Sequence, residues 1–264
     1  MLIDSHCHID SSNFDADRDE VVQRALDAGV GLMVNIGTGD PRSDDFCRAV
    51  EVAEKYPQVY AAVGVHPHDA KLYDDAAEQH LIDLVGSSKK VIAWGEIGLD
   101  FYYDHTPRDV QRDVFRRQIR TARTLSLPII IHSREADDET VAILREECAG
   151  DDFPGGIMHC FGGTPEMAQT LMPLGFLISF AGNVTFKKAQ NLRDAAAVVP
   201  IDKILVETDC PFLTPEPLRG KQNEPSYVAH TAKFLAELKG VDPDTFGTQT
   251  TQNFLDFFGS RIEA

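Results

Sequence analysis

Apolar residues recur along the chain in two alternating rhythms. Short runs that are apolar at every position or every second one are each followed by stretches with apolar positions three and four apart. The first rhythm belongs to strands and the second to amphipathic helices. Strands are predicted at Leu2 to Ile9, Gly31 to Gly37, Val59 to His66, Val91 to Leu99, Pro128 to His132, Gly156 to Cys160, Phe176 to Phe180 and Ile204 to Asp209. Helices are predicted over Arg18 to Ala28, Asp44 to Tyr56, Asp109 to Leu125, Glu139 to Cys148, Glu166 to Leu174, Ala189 to Val198, Tyr227 to Lys239 and a closing segment near Phe254 to Phe258. Thr164-Pro165 and Thr106-Pro107 read as an N-cap with proline in the first turn, and Gly29, Gly175 and Gly240 as C-terminal stops.

Strands follow one another about every 30 residues, the length of one βα unit. No Pro/Gly/Ser-rich linker or low-complexity tract divides residues 1–264. Eight such units predict an α/β fold, a single (β/α)8 TIM barrel spanning the whole chain. Alternation of this kind is also compatible with an open doubly wound sheet, but the Gly-rich dinucleotide fingerprint and the Walker phosphate loop are both absent after the first strands.

Composition narrows the setting. No apolar run approaches the roughly 18 residues that would cross a bilayer, and the start, Met-Leu-Ile-Asp-Ser-His, lacks the basic and apolar regions of a secretion signal. A cytoplasmic protein with no membrane association is expected, and no obligate protein partner is evident. The five cysteines, Cys7, Cys47, Cys148, Cys160 and Cys210, include no C-x-x-C pair, which argues against a disulfide framework or a zinc knuckle. Net charge is −17, the wrong sign for holding long nucleic acid on a broad basic face. A polyanionic substrate would need local attraction, which bound cations and a few basic side chains can supply.

In a (β/α)8 barrel the active site forms at the C-terminal ends of the strands. Six of the nine histidines fall on or just after predicted strand ends: His6, His8, His66, His68, His132 and His159. Glu96 lies late in strand 4 and Asp209 ends strand 8. In His6-Cys7-His8 the two imidazoles are spaced to leave the same face of a strand and meet one ion. A lone strand histidine is ordinarily a hydrogen-bonded core residue. Four histidines and two carboxylates gathered at one end of the barrel would instead leave desolvated polar groups uncompensated unless metal binds. Cys7, Cys160 and Cys210 adjoin candidate ligands, but alternation along a strand directs such neighbours outward into packing.

The motifs resemble those of the TatD deoxyribonuclease family in order and spacing, over nearly the whole chain. They are Asp-Ser-His-Cys-His, Gly64-Val65-His66-Pro67-His68-Asp69-Ala70, Gly95-Glu96-Ile97-Gly98-Leu99-Asp100, Ile131-His132-Ser133-Arg134, His159-Cys160-Phe161-Gly162-Gly163, Glu207-Thr208-Asp209-Cys210-Pro211 and Arg219 to Pro225. The resemblance implies metal-dependent hydrolysis of phosphodiester bonds in DNA, often from a 3′ end, with single-stranded DNA ends as substrate. It also implies two divalent ions. His6, His8, Glu96 and Asp209 would hold one, and Glu96, His132 and His159 the other, with Glu96 bridging. Imidazole and carboxylate donors suit Zn²⁺, Mn²⁺ or Mg²⁺ without choosing among them. Two ions roughly 3.5 to 4 Å apart can activate a shared water, whose proton Asp209 would take.

His66, Asp10 and Asp100 are candidates to orient the ligands, although Asp10 and Asp100 fit simple caps as well. Arg134, Asn183, Lys187, Arg219 and Lys221 lie in segments that would reach a phosphate, or else are ordinary solvated loop residues. Phe101, Tyr102, Tyr103 and Phe161 would stack on an unpaired base or cover the core. Gln111, Phe115 and Gln118 share a helix face and read as packing. The same site would also serve an ester or amide hydrolase, such as a D-aminoacyl-tRNA deacylase. A non-catalytic metal-binding scaffold is a third reading, opposed by the complete ligand set.

Overall fold

The computed structural model describes residues 1–150 and 152–262. Its eight strands are β1 (Leu2–Cys7), β2 (Val30–Gly37), β3 (Val59–Val63), β4 (Val91–Asp100), β5 (Ile129–Arg134), β6 (Gly156–Met158), β7 (Phe176–Phe180) and β8 (Ile204–Val206). They form one sheet in strict chain order, and β1 packs back against β8. The helices are α1 (Arg18–Asp27), α2 (Asp45–Lys55), α3 (Asp75–Ser87), α4 (Arg108–Thr124), α5 (Asp137–Glu147), α6 (Pro165–Leu171), α7 (Gln190–Val198), α8 (Val228–Lys239) and α9 (Pro243–Phe258). Parallel strands in sequential order with helices between them define the (β/α)8 TIM-barrel fold. None of the described helices is long and apolar enough to cross a membrane.

The chain divides into two compact units. The first comprises Met1–Asn35, His159–Gln169 and Leu177–Ala264, and the second Ile36–Met158 and Thr170–Phe176. In the first unit β1 runs parallel to β2 with Leu2 opposite Val30 and Cys7 opposite Asn35, and β7 runs parallel to β8 with Phe180 opposite Val206. Phe14, Phe176, Phe180, Phe246, Phe254 and Phe258 are among the largest fully buried side chains of the protein, and all but Phe176 belong to this unit. The second unit is centred on β4, buried at all ten positions, as expected of a parallel strand covered on both faces.

Several strands stop earlier than predicted. β1 ends at Cys7, β3 at Val63, β6 at Met158 and β8 at Val206, so His8, His66, His159, Cys160 and Asp209 lie in the loops that follow. Polar side chains that must turn toward one another cannot all be delivered by a pleat that alternates faces. Cys160 and Asp209 accordingly adopt positive φ angles of 42° and 55°. β4 and β5 run further than predicted, to Asp100 and Arg134.

Two helices differ from expectation. α3 was not predicted: its buried side is only Ala77 and Leu81, too thin a stripe to register, and its start is fixed by Asp74, whose carboxylate accepts from the Ala77 amide at 2.9 Å. α9 begins at Pro243 rather than near Phe254, because Gly247, Thr250, Thr251 and Asn253 occupy its core side and break the apolar rhythm. Gly29, Gly175 and Gly240 do end their segments at positive φ. Thr106 is not a cap: its hydroxyl donates to the His68 carbonyl at 2.7 Å, and Pro107 precedes α4.

Gly98 shows how tightly β4 and β5 are set. It lies opposite His132 in the ladder with φ of 147°, and a Cβ there would fall within the van der Waals radius of the His132 carbonyl oxygen. Gly98→Ala is therefore expected to cost about 3 kcal/mol or more, from combined overpacking and backbone strain. That corresponds to a fall in Tm of roughly 6 °C or more, measurable by thermal denaturation.

Candidate metal centre

In the first unit the ends of β1 and the loops after β6 and β8 bring four imidazole and carboxylate groups together. His6 stacks on His159 with ring centroids 3.5 Å apart and meets His8 edge-on at 5.1 Å. Asp209 Oδ1 lies 3.4 Å from His8 Nε2 and 3.8 Å from His6 Nε2. Backbone bonds hold this geometry, with the Asp209 amide donating to the His6 carbonyl and the His8 amide to the Cys210 carbonyl, both at 2.9 Å. Burial works against the Asp209 charge, but the His8 hydrogen bond and the neighbouring His159, His6 and His8 outweigh it and hold the carboxyl below the usual carboxylate range.

Two residues of this cluster had not been assigned roles from the sequence. Glu207 is fully buried, 2.7 Å from His159 Nδ1, and accepts the Cys160 amide at 2.8 Å. A carboxylate against one ring nitrogen fixes the tautomer of a histidine and leaves the other nitrogen for a metal. The other Glu207 oxygen, Oε2, has no hydrogen-bond partner among the described residues, a desolvated acceptor that a cation would satisfy. Asp4, also fully buried, accepts from the Thr208 amide at 2.9 Å and hydroxyl at 2.5 Å and from the His6 amide at 3.4 Å. It ties the segment carrying His6 to the segment carrying Asp209. Burial pushes its pKa up to about 8 against the lowering effect of the Thr208 bonds. Both carboxylates stand inside the quoted motifs, and only their burial separates them from ordinary capping residues.

In the second unit Glu96 on β4, His132 on β5 and His66 in the loop after β3 each offer a donor atom within 4.8 Å of the others. Glu96 Oε1 lies 2.8 Å from His132 Nδ1 and 3.7 Å from His66 Nε2. Asp100 Oδ2 lies 3.1 Å from His132 Nε2 and 3.0 Å from His68 Nε2, while Oδ1 accepts the Tyr102 and Tyr103 amides at 3.0 and 2.9 Å. Burial opposes the Asp100 charge, but these bonds prevail and hold its carboxyl well below the usual range. His132 thus stands between two carboxylates, one at each ring nitrogen, an arrangement that a proton on each nitrogen satisfies and that a cation held beside Glu96 would also satisfy.

His66 behaves differently. Its Nδ1 accepts from the His68 amide at 3.2 Å, which puts the ring proton on Nε2, facing Glu96. Burial, reinforced by His132, holds its pKa well below the usual imidazole value, so the ring is neutral. At 3.7 Å the His66 Nε2 is beyond hydrogen-bond reach of Glu96, and with Glu96 and His132 it belongs to a group of donors that could hold an ion. Asp10 is anchored through its backbone, its amide donating to Asn35 Oδ1 at 3.1 Å and its carbonyl accepting from Arg18 at 3.1 Å.

Gln111 and Gln118 do more than pack. Gln111 accepts the Asp100 amide at 2.8 Å and donates to the Asp100 and Thr106 carbonyls at 3.0 and 2.8 Å. Gln118 makes the same two-way clamp on Val65 and accepts from Trp94 Nε1 at 3.2 Å. From α4 the two amides thus fix the backbone beside His66 and of Asp100.

Cys160 departs from the expected outward packing. With β6 ending at Met158 there is no pleat to alternate its neighbours, and the Cys160 thiol joins His159 and Asp209 within 4.8 Å. Cys7 and Cys210 are fully buried, as expected. Among the phosphate candidates, Arg134 lies over the rings of Tyr102 and Tyr103 at 4.1 and 4.7 Å, and Arg219 over Phe186 at 3.7 Å. Asn183 Nδ2 lies 3.4 Å from Cys160 Sγ, and Lys187 and Lys221 are exposed. Phe101 and Phe161 are buried and cover the core, which removes them as stacking surfaces, whereas Tyr102 and Tyr103 are about half exposed. All six arginines of α4 are matched with acids: Arg108 with Asp104, Arg112 with Glu139, Arg116 with Glu146 and Glu147, Arg117 with Asp75 and Glu78, Arg120 with Glu147 and Arg123 with Asp152. The most basic helix is therefore no phosphate-binding surface.

Imidazole and buried carboxylate donors at the strand ends of a (β/α)8 fold are the groups with which a metal-dependent hydrolase holds its ions. The comparisons with known proteins agree: residues 3–259 match the family model described as TatD related DNase. The metal-dependent hydrolase YabD of Bacillus subtilis is 45% identical over 96% of this chain and 97% of its own. The 3′-5′ ssDNA/RNA exonuclease TatD of Cronobacter sakazakii is 35% identical over 97% of each. The crystal structure of YjjV, a TatD homologue from Escherichia coli, superposes with a TM-score of 0.90 at 31% identity, covering 97% of each chain. The chain belongs to the TatD family of metal-dependent hydrolases.

Proposed function

We propose that this protein is a cytoplasmic metal-dependent deoxyribonuclease that removes nucleotides from single-stranded DNA ends in the 3′-5′ direction. The observation that carries the reading is the pairing of His132 Nδ1 with Glu96 Oε1 at 2.8 Å while Asp100 claims the opposite ring nitrogen. The family description and the exonuclease name of the Cronobacter relative support the choice of bond and substrate. His6, His8, Glu96 and Asp209 would hold one divalent ion, and Glu96, His132 and His159 a second. When bound, Zn²⁺, Mn²⁺ or Mg²⁺ lowers the pKa of a water and offsets charge developing on the phosphoryl oxygens.

The chain's own residues supply the rest. Asp209, ionised at neutral pH, accepts the proton of the attacking water. Asp100 and Glu207 orient the rings of His132 and His159, and His66 stands 3.7 Å from Glu96. Arg134, Arg219, Lys187 and Lys221 steer the phosphates, and Asn183 offers a neutral donor. Attraction is then local, which reconciles a polyanionic substrate with a net charge of −17.

The test is to incubate metal-loaded protein in parallel with end-labelled single-stranded DNA, duplex DNA, RNA and D-aminoacyl-tRNA. Mononucleotides released in order from the 3′ end of single-stranded DNA are expected. Release of an amino acid without chain cleavage would replace this reading with that of a deacylase.

A further inference from the structure

Phe212 presents an unusual combination of exposure and rigidity. The residue is 60% exposed, more than any other large hydrophobic one among the described residues but Met1. The backbone carrying it is fastened on both sides: its amide donates to the Asp209 carbonyl at 2.9 Å, and its carbonyl accepts from Asn223 Nδ2 at 2.5 Å. Asn223 is itself fully buried, donates to the Thr208 carbonyl at 2.9 Å, and through its own amide bonds the Pro211 carbonyl. The exposure is therefore not that of a loose loop tip, since the bonds that set the Asp209 segment also fix the backbone from which the phenyl ring projects. The ring stands edge-on to His8, 6.4 Å between centroids at 69°.

An apolar face held in water beside metal-ligand candidates and a candidate base is matched by a ligand with a flat apolar face of its own. We infer that Phe212 is the stacking surface for the base of the nucleotide being released, and that it contributes to a preference for unpaired ends. This inference rests on the nuclease reading above. A phenyl ring offers no hydrogen bonds, so it would accept any of the four bases through their π-faces. A base within duplex has both faces taken by its neighbours and must first be unstacked, at a cost of a few kcal/mol in general. This contact is separate from Tyr102 and Tyr103, which lie on the loop after β4 and carry Arg134 instead.

The experiment compares wild type, Phe212→Ala and Phe212→Trp on two single-stranded oligonucleotides that differ only in whether the 3′-terminal nucleotide carries a base or is abasic. Phe212→Ala is expected to lower kcat/KM on the ordinary oligonucleotide by about tenfold, the scale of one aromatic stacking contact. On the abasic one it should change by no more than about twofold, and Phe212→Trp should restore the first value. Metal content is measured for each variant. Equal losses on both substrates, or loss on neither, would overturn the role of Phe212 while leaving the nuclease reading intact. Failure of the wild-type protein to release nucleotides from either DNA would instead remove the nuclease reading and this inference with it.

Discussion

Asp209→Asn is expected to lower turnover by about 10² or more with little change in substrate binding. The amide preserves size and leaves the backbone bond from residue 209 to the His6 carbonyl in place. It removes the negative charge that faces His8 and His6, and with it the basicity needed to take a proton, since an amide oxygen accepts a hydrogen bond but is not protonated near neutral pH. Since its surroundings hold Asp209 below the usual carboxylate range, it stays charged throughout the neutral range but is only a modest base. The loss is accordingly placed at the lower end of general-base effects. Activity should fall on the acid side as pH drops through that lowered pKa, because protonation then blocks the acceptor. Single-turnover kinetics at saturating metal measure the effect, and a rate near that of the wild type would take Asp209 out of the chemistry.

Glu96→Gln should be equally damaging by a different route. A glutamine at 96 still offers His132 Nδ1 a hydrogen-bond partner, whichever way its amide turns, but carries no negative charge with which to hold an ion. It also removes the carboxylate that would offset repulsion between two adjacent dications. Both metals are therefore expected to be lost on dialysis, and turnover should fall by about 10² or more. His159→Ala removes a donor proposed for one ion only and should leave the other at least partly bound. Elemental analysis per chain for the two variants separates these outcomes. If Glu96→Gln keeps both ions, or loses only the one that His159→Ala loses, Glu96 does not bridge.

The strand and helix order could be read from the sequence because buried parallel strands and amphipathic helices leave different periods. Where core faces are polar or thin the signal fades, as with Thr250, Thr251 and Asn253 on α9 and the pair Ala77 and Leu81 on α3. The donor residues were visible by type and by place near strand ends. Their geometry was not, because pleat alternation was extended past points where β1, β6 and β8 had ended, and this misplaced Cys160. Asp4, Glu207, Gln111 and Gln118 act by fixing backbone segments or ring tautomers across long sequence separations. Nothing local marks such a role. A glutamine that clamps a loop and one that merely fills space have the same spacing, and only the buried partner tells them apart. Phe212 is hidden for the opposite reason, since a single apolar residue after a strand looks like packing until its exposure is known.

Hydrolysis that depends on metal held by these donors can be checked by stripping the protein with a chelator and measuring nucleotide release from end-labelled single-stranded DNA. Elemental analysis establishes the metal content, and far-UV circular dichroism the fold. The stripped protein is expected to keep its helical signal, because the apolar core does not depend on donors at the strand ends, with some loss of thermal stability from the missing ligand. It should release no nucleotide until Zn²⁺, Mn²⁺ or Mg²⁺ is returned. Undiminished release from protein shown to be free of metal would mean that the hydrolysis needs no metal at these donors.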